Sequence, residues 1–194
     1  MNELVKLVQD WSINKDLDKA DSRGQYLKVM EESGEIAAAM ARSDLKEIKD
    51  GIGDTVVTLI IFAQQNDISC RYNPVLPSNM SGLNKITTYA RSAAVCSGLI
   101  LEPSKSDFIK ERINDAIDLL NQLAKLYDWD LKECLQAAYN EISGRTGKIV
   151  NGIFVKSEDL PKPEYNQGVW TEVTASGAIA GYEGDKEKQG DLFD

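Results

Sequence analysis

Lys28-Val29-Met30-Glu31-Glu32-Ser33-Gly34-Glu35, answered downstream by Asp50-Gly51-Ile52-Gly53-Asp54, is the stretch on which the reading of the fold turns. Both segments carry apolar residues at helical spacing, and both set carboxylates beside that apolar stripe. Acids are normally kept out of such places because an unpaired buried charge is expensive. A cluster of them is tolerable when a divalent cation sits among them. The expectation is therefore a helical bundle whose inward acids hold a metal ion.

Working outward, Ser22 followed by Gln25 reads as a capping box opening a helix that runs to about Arg42. Its apolar stripe reads as Leu27, Met30, Gly34, Ala37, Ala38 and Ala41, with the small residues permitting close approach of a neighbouring helix. Asp44 followed by Glu47 caps the next helix, Leu45 to about Asn66. There Leu45, Ile48, Ile52, Val56, Leu59, Ile60 and Ala63 keep the i, i+3, i+4 spacing. So short a connection makes the two helices an antiparallel hairpin, which brings the two acid groups face to face.

On the first of these helices Glu32 and Glu35 are three apart and share a face. Glu31 lies four before Glu35 and four after Leu27, at the edge of the stripe. On the second, Asp50 and Asp54 share a face. Asp is a poor helix-interior residue, and Gly51 and Gly53 each weaken the helix by roughly 1 kcal/mol against Ala. Two readings stand side by side: a solvated acidic face with glycines for close packing, or an all-oxygen ligand set. Four or five carboxylates without His or Cys form a hard site suited to Mg²⁺ or Mn²⁺, and such a site serves phosphoryl chemistry. Glu47 reads as a supporting acid or simply as a capping residue.

The remaining chain reads as further helices. Residues 2 to about 15 form the first, with Leu4, Leu7, Val8 and Trp11 at helical spacing. Trp11 is either core packing or a stacking wall for a nucleobase. Asp18 to Gly24 is a polar connection, and residues 67–80, with Pro74 and Pro77, are a loop. A fourth helix is expected over Gly82 to Leu101, ended by Pro103, a fifth over Asp107 to Tyr127, and a sixth capped by Asp130 with Glu133. Asn151-Gly152 between β-branched residues signals a short hairpin. Beyond Leu160, proline and glycine positions lead into Gly181–Asp194, rich in Gly, Asp, Glu and Lys and expected to be mobile.

Composition narrows the chemistry. With 42% hydrophobic and 27% charged residues the 194-residue chain has the composition of an ordinary soluble globule, and the run of helical spacings makes the expected class all-α. A net charge of −9 argues against a nucleic-acid polymer or an anionic membrane as partner. It leaves room for a nucleotide, since a metal ion reverses the local field. The absence of histidine removes His-based triads, His-ligated zinc and the Glu-x-x-His di-iron bundle. Cys70, Cys96 and Cys134 read as reduced, partly buried thiols of a cytosolic protein. The longest apolar run, Val56 to Ala63, is too short to span a bilayer.

Glu31-Glu32-x-x-Glu35 followed by an acidic helix start resembles the E-E-x-x-E … E-x-x-D pattern of the MazG-like all-α nucleoside triphosphate pyrophosphohydrolases. Gln25, Lys28, Glu31, Glu32 and Glu35, with Asp50-Gly-Ile-Gly-Asp54 and its apolar run, look like them. Ala138-Tyr-Asn-Glu-Ile-Ser-Gly-Arg145-Thr-Gly-Lys148 and Gly152-Ile-Phe-Val-Lys156 resemble the ending of a phage-rich, MazZ-like branch. The likeness covers residues 1–66 and about 130–159, a catalytic domain of residues 1–159 in which 67–106 read as a candidate insertion and 160–194 as a tail. One departure concerns the third helix. Matching Asp54 to the family's last Asp puts Gly51 where its Glu belongs, with Asp50 substituting; Glu47-x-x-Asp50 is the alternative match.

The resemblance implies hydrolysis of a (deoxy)nucleoside triphosphate to monophosphate and pyrophosphate, with Mg²⁺ or Mn²⁺. The substrate would be dGTP or another purine, or alternatively a pyrimidine such as dUTP or dCTP. It makes Glu32, Glu35 and Asp54 metal ligands alongside Asp50, and gives Glu31 the attacking water or a place in the cluster. Lys28 would meet a phosphate or merely pair with Glu32. Arg145 and Lys148 would clamp the triphosphate or complement a helix C-terminus. A homodimer or homotetramer in the cytoplasm, that of the host if the chain is phage-encoded, completes the expectation. A non-catalytic helical interaction module is the rival from another class.

Overall fold

The computed structural model describes residues 1–100, 106–150 and 153–160. Among these residues the architecture is predominantly helical, as expected. The helices are α1 (Asn2–Asn14), α2 (Ser22–Arg42), α3 (Leu45–Gln65), α4 (Lys85–Ser97), α5 (Ser106–Lys125) and α6 (Leu131–Ser143), followed by strands β1 (Gly147–Val150) and β2 (Ile153–Lys156). Met1–Asp159 forms one compact unit. The tail expected to be mobile lies, beyond Leu160, outside the described residues, as do Pro103 and the Asn151-Gly152 turn. The two strands pair antiparallel, Gly147 opposite Lys156 and Val150 opposite Ile153.

α3 is the central element because it is apolar nearly all round. Ile52, Val56, Leu59, Ile60 and Ala63 are fully buried, enclosed by α2, α6, α1 and α5. A helix of this kind is stable only inside a bundle. Its glycines let two neighbours come close. A Cβ on Gly51 would lie 2.9 Å from Ile36 Cγ1 of α2, and one on Gly53 only 2.3 Å from the Cys134 carbonyl oxygen of α6. Leu45, placed in the buried stripe by spacing, is instead 57% exposed, since the helix has barely begun there and no neighbour covers its first residue.

α2 differs more from expectation. Its buried face is Gln25, Val29, Glu32, Ser33, Ile36 and Ala39, whereas Leu27, Gly34, Ala38 and Ala41 are exposed. The helix has apolar residues on two faces, and the β-branched seam of Val29 and Ile36 won the contact with α3. A Cβ on Gly34 would meet nothing within 4 Å, so the close approach expected at Gly34 is made at Gly51 and Gly53 instead. The cap also moves by one residue. Asp21 accepts from the Arg23 backbone N–H, at 2.8 Å, while Ser22 is the first helical residue and its Oγ donates to Asn66 Oδ1 at 3.2 Å.

Asp44 caps α3 by accepting from the Lys46 and Glu47 amides, and Asp130 caps α6 through the Lys132 amide. α4 begins at Lys85 behind the cap Asn84, later than expected, and passes into a 3-10 turn, Gly98–Ile100. The loop before it is fastened to α5. Asp118 takes hydrogen bonds from Arg71 and from the Val75 amide, both at 2.8 Å. Cys96 and Cys134 are buried and Cys70 half-buried, all three free. No described helix is long and apolar enough to cross a membrane.

Candidate functional site

The antiparallel hairpin of α2 and α3 is fastened at three levels. Ser22 meets Asn66, Gln25 Nε2 donates to the Thr58 carbonyl at 3.2 Å, and Ile36 lies against Gly51. Between the first and last of these levels, α2 and α3 leave a cleft that the end of α6 and strand β2 complete. It is a cavity of about 480 Å³. Trp11, Lys28, Glu31, Glu32, Glu35, Asp50, Asp54 and Arg145 all line it. Lys148 does not: it is exposed on β1. Lys156, its neighbour across the strand pair by one step of register, lines the cavity from β2.

The acids are not equivalent. Glu32 lies on the buried face of α2, only 9% exposed, because it falls on the same seam as Val29 and Ile36. Glu31, read at the edge of the apolar stripe, stands at the rim of the cavity with its side chain 54% exposed. Glu35 is exposed one turn on, and Glu47 is exposed outside the cavity beside Lys46. Asp54 is the most perturbed. Burial, then the charges of Glu32 and Asp50, push its carboxyl up to about 7, with Arg145 opposing. Glu32 is raised by burial and by Glu35, against the pull of Lys28. Asp50 is raised by burial, then by Glu141 and Glu47. Acids from two helices thus crowd into one partly dry cleft and hold their protons against one another.

Cations stand among them. Lys28 Nζ is 2.6 Å from Glu31 Oε2 and 3.3 Å from Glu32 Oε1. Burial works against its charge, yet the hydrogen bond to Glu31 and the two carboxylates prevail and keep its pKa above the ordinary value. Both expectations for Lys28 therefore meet in one place: it pairs along its own helix and faces the cavity. Arg145 is paired with Glu141, one turn back at the end of α6.

The opposite part of the lining is apolar. Trp11 is 9% exposed and packs edge-on against Phe154 at 5.5 Å between ring centroids. It is thus both a core residue and a cavity wall. Leu17, Val57, Ile61, Gln25 and Thr58 join it.

Several lining residues were not singled out from the sequence. Glu141 had a signal, its i, i+4 spacing to Arg145. Lys156 stood at the end of a stretch quoted for the resemblance but was given no role, and Asp159 had no signal, because which face of a hairpin meets the bundle is decided by packing.

The donor chemistry suits a hard divalent cation: all oxygen, partly desolvated, with like charges whose repulsion a cation would relieve. Among the described residues no three acids or thiols converge closely enough to form a ready ligand group. The acids face one another across the cleft without being drawn together.

No protein-family model and no solved structure matches the chain. Among curated proteins it is 35% identical over 69 residues to an uncharacterized 18.2 kDa protein from the rep-hol intergenic region of Haemophilus phage HP1. That stretch is 35% of this chain and 42% of the phage protein, so the chain spans less than half the length of the relative it matches.

Proposed function

We propose that this chain is a metal-dependent nucleoside triphosphate pyrophosphohydrolase of the MazG-like all-α kind, cutting a (deoxy)nucleoside triphosphate into monophosphate and pyrophosphate. The observation that carries the reading is Asp54. Its carboxyl is pushed up to about 7 by burial and then by the charges of Glu32 and Asp50, in a cavity that Lys28, Arg145 and Lys156 also line. An acid perturbed by burial and by neighbouring charges in a cleft is a candidate functional group with a physical cause.

In this reading Glu32, Glu35, Asp50 and Asp54 hold Mg²⁺ or Mn²⁺. When bound, the ion offsets charge on the phosphate oxygens and favours deprotonation of water. Lys28, Arg145 and Lys156 donate charge-assisted hydrogen bonds to the triphosphate. They stabilise the negative charge that grows on the leaving pyrophosphate. Glu31, at the rim, orients the attacking water and takes its proton. The water oxygen bonds to the α-phosphorus as the bond from that phosphorus to the bridging oxygen breaks. Trp11 and its apolar neighbours receive the base. A homodimer or homotetramer acting on the nucleotide pool of a host cytoplasm completes the proposal.

The test is a panel of the common NTPs and dNTPs with Mg²⁺ or Mn²⁺, products resolved by chromatography, beside Glu35→Gln and Asp54→Asn. Monophosphate plus pyrophosphate from one or a few substrates is expected, falling by two orders of magnitude or more in Asp54→Asn. Purine against pyrimidine preference emerges from the same panel. No turnover of any nucleotide by folded, metal-supplied protein would sink the enzyme and favour a non-catalytic helical module.

A further inference from the structure

A second cavity lies away from the acids. The later part of α2, the start of α4 and the end of α5 enclose a groove of about 960 Å³, twice the volume of the acid-bearing cleft. Ala37, Met40, Ala41, Leu83, Ile86 and Leu126 give it an apolar lining. At about 100° per residue, Ala37 and Ala41 fall on the far side of α2 from Lys28 and Glu35. The two cavities therefore share a helix but use different faces of it. Ile86 is 72% exposed on the groove wall, more than any other large apolar side chain among the described residues.

The polar groups of the groove are few. Asn84 Oδ1 accepts from the Thr87 amide at 2.9 Å as the cap of α4. The Tyr89 hydroxyl donates to the Ser33 carbonyl at 2.8 Å and ties α4 to α2. Lys85 is the single charged residue among those lining the groove. The chain has 31 acidic and 22 basic residues, yet among the described residues no carboxylate pairs with Lys85. Its Nζ rests instead 3.8 Å from the centroid of the Tyr127 ring. That ring is held in place by stacking on Trp129, 4.8 Å between centroids. A ring face holds a cation less strongly than a charge-assisted hydrogen bond to an anion does, so Lys85 still has donors to offer. The Tyr127 hydroxyl likewise makes no hydrogen bond among the described residues.

We propose that this groove binds a small amphipathic monoanion, its charged head on Lys85 and the Tyr127 hydroxyl and its apolar body along Ala37, Ala41, Ile86 and Leu126. The volume falls within the roughly 300–1,000 Å³ of small-molecule sites, which are mostly apolar with a few placed polar groups. One cation matches one negative charge. A triphosphate is a poor occupant, because the groove lining has neither a second cation nor acids to hold a metal. Polar groups on the body of the ligand would lose water and find few partners here, which selects an apolar body. The inference stands apart from the nucleotide reading of the acid-bearing cavity and does not depend on it.

The probe is anilinonaphthalene sulfonate, a monoanion with an aromatic body, titrated by fluorescence and calorimetry into the full chain in a chelator. Its uncharged counterpart is N-phenylnaphthylamine, the same ring system without the sulfonate. Saturable binding of one sulfonate per chain is expected. Lys85→Gln should weaken the sulfonate tenfold or more and leave the uncharged compound within twofold, whereas Lys85→Arg should keep most of the affinity. Ala41→Trp, which fills the groove, should weaken both compounds. Lys46→Gln removes a lysine that is 90% exposed elsewhere on the surface and should change neither. All of these positions are exposed, and circular-dichroism melts establish that each variant is folded.

Absence of saturable binding overturns the proposal, as does sulfonate affinity that Lys85→Gln or Ala41→Trp leaves unchanged. Exclusion of the probe from a chain that sediments as a dimer, with binding restored by Ile86→Asp, would give the groove to a second copy and overturn it as well.

Discussion

Asp54 shows how a single residue can carry a site. Its helix positions it between Glu32 and Asp50, and burial denies it solvent. Its folded-state pKa of about 7 stands above the ordinary 3.8, so between those values the folded protein binds a proton that the unfolded chain releases. Stability of the metal-free protein therefore falls as pH rises through that interval, and the penalty is complete above it. Asp54→Asn removes the penalty. In a chelator it is expected to melt several degrees above wild type at pH 8, a gain of the order of 2 kcal/mol, with the difference closing towards pH 4. Adding Mg²⁺ at pH 8 should reverse the order, raising wild type and leaving the variant where it was. Equal melting points at pH 8 in chelator would show that the crowding of Glu32, Asp50 and Asp54 is relieved in solution.

Among the elements, α3 organises everything else, and its two glycines do so by what they omit. Gly53 lets the α6 backbone come so near that a Cβ would stand 2.3 Å from a carbonyl oxygen. Gly53→Ala is expected to destabilise by about 2–3 kcal/mol through overpacking, although alanine is the better helix former. Gly34→Ala, on the outer face of α2 with nothing within 4 Å, should instead stabilise by about 0.5–1 kcal/mol. Chemical denaturation of the two variants checks both signs at once. Both glycines looked alike in sequence, as small residues in helices next to acids. The spacing of α3 was legible because its apolar pattern is continuous, whereas α2 is mostly small and polar with apolar residues on two faces. Its inward face was then chosen by the fit of Val29 and Ile36 to α3.

At the scale of the whole molecule, α2 leaves Leu27, Gly34, Ala38 and Ala41 exposed in a row; Leu27 at one end lines the acid-bearing cavity, and Ala41 at the other lines a groove with Met40, Ile86 and Tyr89. With the proposed family's habit of assembling, the expectation is a dimer or tetramer at micromolar concentration, measured by sedimentation. Ala38→Glu on this face would shift the distribution to monomer if it is the contact. A wild type that sediments as a monomer at every concentration would remove the oligomer from the proposal. The middle of the chain, residues 67–100, is tied into the same unit through α4 on α5 and α2 and through Asp118.

By itself the sequence determined the order of the helices, the caps of α2, α3 and α6 to within a residue, the antiparallel hairpin and the strand pair, while α4 began three residues later than its spacing suggested. These are local matters: periodicity, a capping carboxylate, a connection too short for any other course. It also singled out the acids, because Glu32, Asp50 and Asp54 are costly where they stand. The tertiary structure alone decided which face of α2 turned inward, that Lys156 rather than Lys148 lines the cavity, that Glu141 accompanies Arg145 there, and that Gln25 donates to the Thr58 carbonyl across the hairpin. Each of those depends on a neighbour distant in sequence, and burial is a property of the assembled bundle that no single helix possesses.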